Sequence, residues 1–436
     1  MRRALRSSAA ALTAISALLL TGCGGDSGTE NVFGAGGWPG MHSDARNSDT
    51  SAVTGARSLD LSWTRPIGGP TPTRATVAAS GQIFLTSQAE QGCNLLSFQI
   101  ESGRKRWCNR IGPGAAISSP VVDGATNVYV GEEGAMSSFN EHGQLRWRTP
   151  VTGTPLSAQF TGDGNLLFVT QLGQINVLDP QTGFKVVPSY DLIPPASYTQ
   201  GANIEPVPNG LGLDQCFDGA SPCPVPNSPA LDLSSGRFVF TFWRPGAAQA
   251  DLVAMRYTGG EDPKIDQDWS TSTVQGGSPA GPVLSADGKT VYGNDNAGHL
   301  WAVDAESGSP KWSHDLGYRP LGGPSVSADG LIVPAGGENG RLLALRDRGD
   351  SAEVAWERGD LLQVGAPAQA AGATGYTTVR DGDSGVALLT FDTKTGETLD
   401  QDALPGATGF TAGTSIGPDG EVLTPTLIGE LFVLKQ

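Results

Sequence analysis

Residues 97–107 read Ser-Phe-Gln-Ile-Glu-Ser-Gly-Arg-Lys-Arg-Trp, an apolar run that ends in a turn at Ser102-Gly103, with Trp107 four residues past the glycine. The same unit returns at Ser138 to Gly143 with Trp147, and at Val303 to Gly308 with Trp312. Leu178-Asp179-Pro180-Gln181-Thr182-Gly183 and Phe391-Asp392-Thr393-Lys394-Thr395-Gly396 repeat the turn without the tryptophan. Gly103, Gly143 and Gly183 are spaced by 40 residues, and Gly308 and Gly396 by 88, twice 44. A period near forty built from strand-like units points to propeller blades.

A second cadence runs out of phase with the first. Small turns precede an apolar strand at Ser80-Gly81, Asp123-Gly124, Asp163-Gly164, Ser235-Gly236, Asp287-Gly288, Asp329-Gly330, near Gly372, and at Asp419-Gly420, eight in all. These pairs supply the positive φ that tight hairpins need, and β-rich runs such as Gln82 to Leu85 follow them. Two hairpins per unit give four strands. The segment 61–436 holds 376 residues; setting aside the 38 at 188–225, which lack the strand pattern, leaves about 42 for each of eight units. The fold class is therefore all-β, an eight-bladed propeller of four-stranded antiparallel blades. The last unit supplies three strands, near 411–416, 421–426 and 430–435, while Leu61-Ser62-Trp63-Thr64-Arg65-Pro66 looks like an outer strand with no blade before it. Joining the two closes the ring and leaves no unpaired edge there. The tryptophans are expected to pack between neighbouring blades and to need no ligand.

Met1 to Gly22 is a secretory signal of the lipoprotein kind. Arg2, Arg3 and Arg6 precede a 12-residue apolar run, Ala9 to Leu20, and the box Leu20-Thr21-Gly22-Cys23. Twelve residues are too few to span a bilayer. The box resembles the bacterial lipobox, which implies lipidation of Cys23 with two or three acyl chains and a lasting anchor. Gly24 to Gly37, 14 residues rich in glycine, forms a flexible tether of about 20 Å root-mean-square reach. The stretch 38–48 is read as a strap packed on the ring. Net charge is −16, and cleavage, which removes three arginines and no acid, makes it −19. Nucleic acid and anionic headgroups would be repelled, and a monomeric protein with a protein partner is expected.

Four cysteines remain beside Cys23, an even number in a secreted context. Cys216 and Cys223 bracket a short loop and are expected to pair. A turn at Ser102-Gly103 places residue 97 opposite Cys108, so Cys93 must fold back through its loop to bond it. No C-x-x-C spacing suggests a metal or redox site. Gly413-Thr414-Ser415-Ile416-Gly417 matches a nucleophile pattern but opens an inner strand rather than a strand-turn-helix. Asp381 to Gly385 lacks the further ligands of a calcium loop, and His42, His142, His299 and His314 show no ligand spacing.

The repeat, an apolar strand, then Asp-x-x-Ser/Thr-Gly, then a strand carrying Trp, resembles the pyrroloquinoline quinone (PQQ)-like β-propeller repeat over 61–436, and the strap around Trp38 is similar to that family's N-terminal segment. The resemblance implies the fold and leaves two function classes. Some members are quinone-dependent dehydrogenases, which hold the cofactor above a tryptophan and beneath a disulfide of adjacent cysteines, with calcium on acid and amide side chains. Others, like the outer-membrane assembly lipoprotein BamB, bind no cofactor and serve as envelope scaffolds. No two cysteines are adjacent here, and no Cys-x-x-Cys-His for attached haem occurs. The expectation is a non-enzymatic scaffold or binding protein with no cofactor, no metal and no catalytic residue, with a PQQ-dependent dehydrogenase or quinone sensor as the alternative.

The cadence breaks once. The segment 188–227, an insertion between blades 3 and 4, carries Tyr190, Tyr198 and the Cys216/Cys223 pair. A loop of that length in a compact domain is usually functional or disordered. It should lie on the same face as the loops holding Trp243-Arg244-Pro245 and Asp295-Asn296-Ala297. Tyr190, Tyr198, Trp243 and Arg244 are the candidate surface for an envelope partner, aromatic and arginine side chains being common at binding hot spots. The domain plan is a signal at 1–22, lipidated Cys23 and tether to 37, and a propeller from 38 to 436. Location is extracytoplasmic, on the cell membrane or, as Gly24 after the cysteine would suit, the outer membrane.

Overall fold

A computed structural model describes residues 37–194 and 207–436. Eight four-stranded antiparallel units follow one another around a ring. Blade 1 has strands Thr76–Val77, Gln82–Thr86, Leu95–Gln99 and Lys105–Asn109, from the axis outward. The others repeat this order. In blade 8, Ser415–Ile416, Val422–Pro425 and Glu430–Lys435 are completed by Asp60–Pro66, with Asp60 opposite Lys435 and Pro66 opposite Glu430. The chain's first long strand thus closes the ring, as its sequence predicts.

The Gly-to-Trp cadence has a specific cause. Each glycine receives the tryptophan of the preceding blade, and the tight turn brings its bare Cα against the ring. A methyl on Gly103 would sit 2.6 Å from Trp63, one on Gly143 2.6 Å from Trp107, and one on Gly183 2.6 Å from Trp147. Trp269 and Trp356 dock on Gly308 and Gly396 in the same way. Each of these five indoles also donates Nε1–H to a carbonyl of the same turn, Trp63 to Ile100 at 2.8 Å for example. Trp312 meets a carboxylate instead, Asp347 Oδ1 at 2.9 Å. Six of the eight seams are fastened so, and those between blades 3 and 4 and between 7 and 8 have none.

The ring has two unlike ends. Hairpins within blades join first to second and third to fourth strands at one end, the turn end. The connections between blades and the second-to-third-strand loops share the other, the loop end. The strap from Trp38 to Asp49 crosses the channel between them. Its carbonyls accept N–H groups from inner strands of six blades: Trp38 from Val77, Pro39 from Val122, Ala45 from Leu231, Arg46 from Leu284, Ser48 from Val326 and Asp49 from Gln369. Thr50–Thr54 then runs parallel beside the inner strand of blade 7. Ser43, Asn47 and Asp49 hold φ of 51°, 59° and 55°, a left-handed geometry that Asn and Asp tolerate better than most residues.

Two sequence expectations need correction. A bulge between Ser97 and Phe98 places Leu96, not Ser97, opposite Cys108, and this shift brings Cys93 within bonding reach of Cys108. The outer strand of blade 3 is Tyr190–Asp191, so the insertion starts after Asp191 rather than at 188.

Candidate functional site

At the loop end the ring opens into an axial cavity of about 350 Å³. Its walls come from between-blade connections. Ile117, Leu156, Phe217, Leu321, Phe410 and Leu427 give large apolar side chains, and Asn227, Gln88, Thr73, Ser157, Ser228 and Thr411 give polar ones. Glycines at 281, 322, 323, 336 and 365 keep the inner walls thin. Among the described residues no carboxylate lines it. The turn-end hollow beside the strap differs, being walled by Asp44, Asp232 and Asp287.

The strap makes the cavity floor. His42 and Arg74 line it, both almost wholly buried, and both hold Asp49, which is 0% exposed. Arg74 Nη1 lies 2.6 Å from Asp49 Oδ1 and His42 Nδ1 2.9 Å from the same oxygen. Arg74 also donates to the Pro367 carbonyl at 3.3 Å and stands over the Trp38 ring at 5.7 Å. Burial pushes the guanidinium below its usual pKa, and the Asp49 charge and hydrogen bond oppose that shift. Burying such a pair costs several kcal/mol per ion, which the Asp49 contact of His42 and the Pro367 carbonyl offset only in part, since Asp49 Oδ2 has no hydrogen-bond partner among the described residues. The sequence reading gave His42 no role and passed over Asp49 and Arg74. A signal was present: Arg74 is the single charge between residues 67 and 89.

The described part of the insertion, from Val207 on, bonds to between-blade connections and loops of this end. Asn209 accepts the Gly153 N–H at 2.8 Å through Oδ1. Pro224 accepts the Trp243 N–H at 2.7 Å and Val225 donates to the Gln171 carbonyl at 3.0 Å. Asp218 accepts Asn296 Nδ2 at 2.7 Å, and Asn227 Nδ2 reaches the Ser278 carbonyl at 3.2 Å. Cys216 and Cys223 are bonded and buried, and Cys216 reaches the cavity wall beside Phe217.

The candidate surface residues are only partly brought together. Tyr190 is half-buried in the outer strand of blade 3, packed against the core below. Trp243 sits in the second-to-third-strand loop of blade 4, donates Nε1–H to Ala247 and packs near Gly277. Arg244, exposed beside it, pairs with Asp251 at 2.9 Å and stands 5.5 Å over Phe242. Tyr198 and Cys23 lie outside the described residues. The reading missed the apolar mouth: Phe217, Leu321, Leu427 and Ile428 are 37%, 42%, 37% and 52% exposed.

The cavity can be held against the quinone site that the resemblance brings. Among the described residues its lining offers one cysteine bonded to a partner seven residues away, one asparagine and no carboxylate, while Trp38 lies under Arg74 and off the lining. These residues do not fit a quinone with its calcium. Elsewhere among the described residues, carboxylate oxygens of Glu101, Asp419 and Glu421 approach within 4.8 Å at the turn end, away from the cavity.

The family described as outer membrane protein assembly factor BamB matches this chain over residues 48–187 and 259–418. The chain belongs to the BamB family. Protein Rv3035 of Mycobacterium tuberculosis is 38% identical over 416 residues, covering 94% of this chain and 98% of that protein. BamB of Yersinia pestis is 26% identical over 257 residues, 57% of this chain and 55% of that one. Among solved structures, BamB from Moraxella catarrhalis superposes with a TM-score of 0.56 at 16% identity, over 87% of this chain and all of that one. Quinohemoprotein alcohol dehydrogenase from Comamonas testosteroni gives 0.63 at 13% identity, over 93% and 81%. At such identities these superpositions show the shared propeller and no more. Among the described residues no helix is long and apolar enough to cross a membrane.

Proposed function

We propose that this BamB-family protein is a lipid-anchored, non-enzymatic docking protein of the bacterial envelope, held to the membrane through Cys23. Its loop end, with the insertion and the cavity mouth, binds a protein partner. One observation carries this reading: the insertion that breaks the repeat is docked by named hydrogen bonds across blades 2 to 5 beside an exposed apolar mouth. Exposed apolar rims around a concave site are typical of interaction surfaces. Membership of a family described as an assembly factor supports it further. The net charge of −16 speaks against nucleic acid as the partner.

Photo-crosslinking from Leu427 and Leu211 in the native host, with identification of the captured chain, tests the reading. One common protein partner, lost in Phe217→Glu and Leu321→Glu variants that keep the wild-type circular dichroism, is the expected result. Crosslinks unaffected by both changes would refute it. The quinone alternative is separated by adding PQQ and calcium to the purified protein and recording absorbance and dye reduction with alcohols. A bound spectrum with turnover would overturn the non-enzymatic assignment.

A further inference from the structure

We infer that the partner-binding loop end faces away from the membrane, so that the partner presents a water-exposed domain well clear of the lipid. This rests on the proposed anchor at Cys23 and deepens that reading. The described chain begins at Gly37, and where it enters the ring is definite. Trp38 pairs antiparallel with Val77 in the inner strand of blade 1, exchanging both N–H···O bonds at 2.8 and 2.7 Å. That inner strand runs toward its hairpin at Ser80-Gly81, so an antiparallel neighbour arrives from the hairpin side. Gly37 accordingly lies against the Val77 carbonyl and Ala78, at the turn end and near the axis. The sequence before Gly37, Cys23 included, is therefore joined to the ring at the turn end.

Length favours one of the two poses. A tether of the 14 residues from Gly24 to Gly37 has a reach of about 20 Å and a fully extended length of about 50 Å. Turning the loop end to the bilayer would require it to run from the axis across a four-stranded sheet, about 15 Å at the usual strand spacing, and then up the blade edge, about 17 to 20 Å for a five- or six-residue strand. That path of roughly 35 Å consumes most of the extended length, whereas the upright pose needs none of it. The loop end thus stands a ring height beyond the tether.

Energy transfer to the membrane tests this. Full-length lipidated protein is placed in vesicles of phosphatidylethanolamine and phosphatidylglycerol carrying a rhodamine-lipid acceptor. A donor is attached at Phe184→Cys on the turn end or Ile428→Cys on the loop end, both strongly exposed in the native chain. Transfer at least twofold greater from position 184 is expected. Equal or greater transfer from 428, with the protein bound, overturns the orientation while leaving the anchor standing. Failure of the protein to bind, or undiminished binding of a Cys23→Ala variant, overturns the anchor and the orientation together.

Discussion

The seam that closes the ring and the seam that carries the insertion are built differently. Between blades 8 and 1, Trp63 from the first long strand lies on Gly103 and donates to the Ile100 carbonyl, while Arg65 donates to the Gly103 carbonyl at 2.9 Å. Between blades 3 and 4 no tryptophan bridges the sheets. There Tyr257 reaches back to Asp163 at 3.0 Å and to Asn165, and the outer strand of blade 3 is reduced to Tyr190–Asp191. The closing seam uses the indole-on-glycine contact that four other seams share. Where the repeat relaxes, the chain is free to leave the blade and build a surface. Function, on this reading, occupies a place that the folding pattern has vacated.

The largest expected effect is therefore at closure. Trp63→Ala removes a nearly buried indole and its hydrogen bond, and changes of this kind typically cost about 3–5 kcal/mol. Denaturant unfolding should show a loss of that size. Trp107→Ala, at an ordinary seam, should lose a similar amount but leave residues 50–66 protected from hydrogen exchange, whereas Trp63→Ala should expose them. Equal protection in both variants would mean that Asp60–Pro66 is held by its six-residue ladder alone.

At the insertion seam the effects are smaller and local. Replacing Cys216 and Cys223 by serine opens a short covalent loop, for which chain-entropy reasoning gives about 2–3 kcal/mol. Because the insertion lies outside the sheets, proteolysis around Val207–Asn227 should accelerate while exchange protection in the blades stays as it was. Tyr257→Phe should cost less again, about 1 kcal/mol, the scale of one net hydrogen bond, because exposed Asp163 can regain water. Burial and then the Asp163 charge push the Tyr257 hydroxyl up to about 12, so it is the neutral phenol that donates at ordinary pH. A loss as large as that of Trp63→Ala would show that this seam is not the weaker one.

The repeat was legible because the residues that make it are committed to backbone geometry. Positive-φ turns such as Gly103 and Gly143 and the short apolar runs beside them each announce themselves within a dozen residues. Trp269 and Trp356 were passed over because no glycine stands four places before either. The cluster of His42, Asp49 and Arg74 was hidden for another reason. Its members come from the strap and from the connection into blade 1, and only the antiparallel entry at Trp38 and the reversals at Ser43 and Asn47 bring them to one point. The face of the insertion followed from blade topology, but the apolar mouth did not. Leu321, Leu427 and Phe217 are far apart in sequence and share no pattern.

The other seam without a tryptophan, between blades 7 and 8, sharpens the comparison through charge. Asp400 accepts the Leu59 N–H there at 2.8 Å and so holds the approach to the closing strand. Asp402, two residues along the same outer strand, has a carboxyl pushed up to about 6 by burial, then by the Asp400 and Asp60 charges. Its folded pKa stands above the unfolded value, so its favourable contribution is complete below about pH 4 and is lost as pH rises through 6. The native chain should thus melt at a lower temperature at pH 8 than at pH 5 by this contribution. Partial exposure keeps the effect small, below that of the Tyr257 hydroxyl. Asp402→Asn should flatten the difference by stabilising the pH 8 form, with exchange protection gained in Asp60–Pro66. A variant whose pH dependence is unchanged would assign the slope to other carboxylates and leave this seam weak merely for want of an indole.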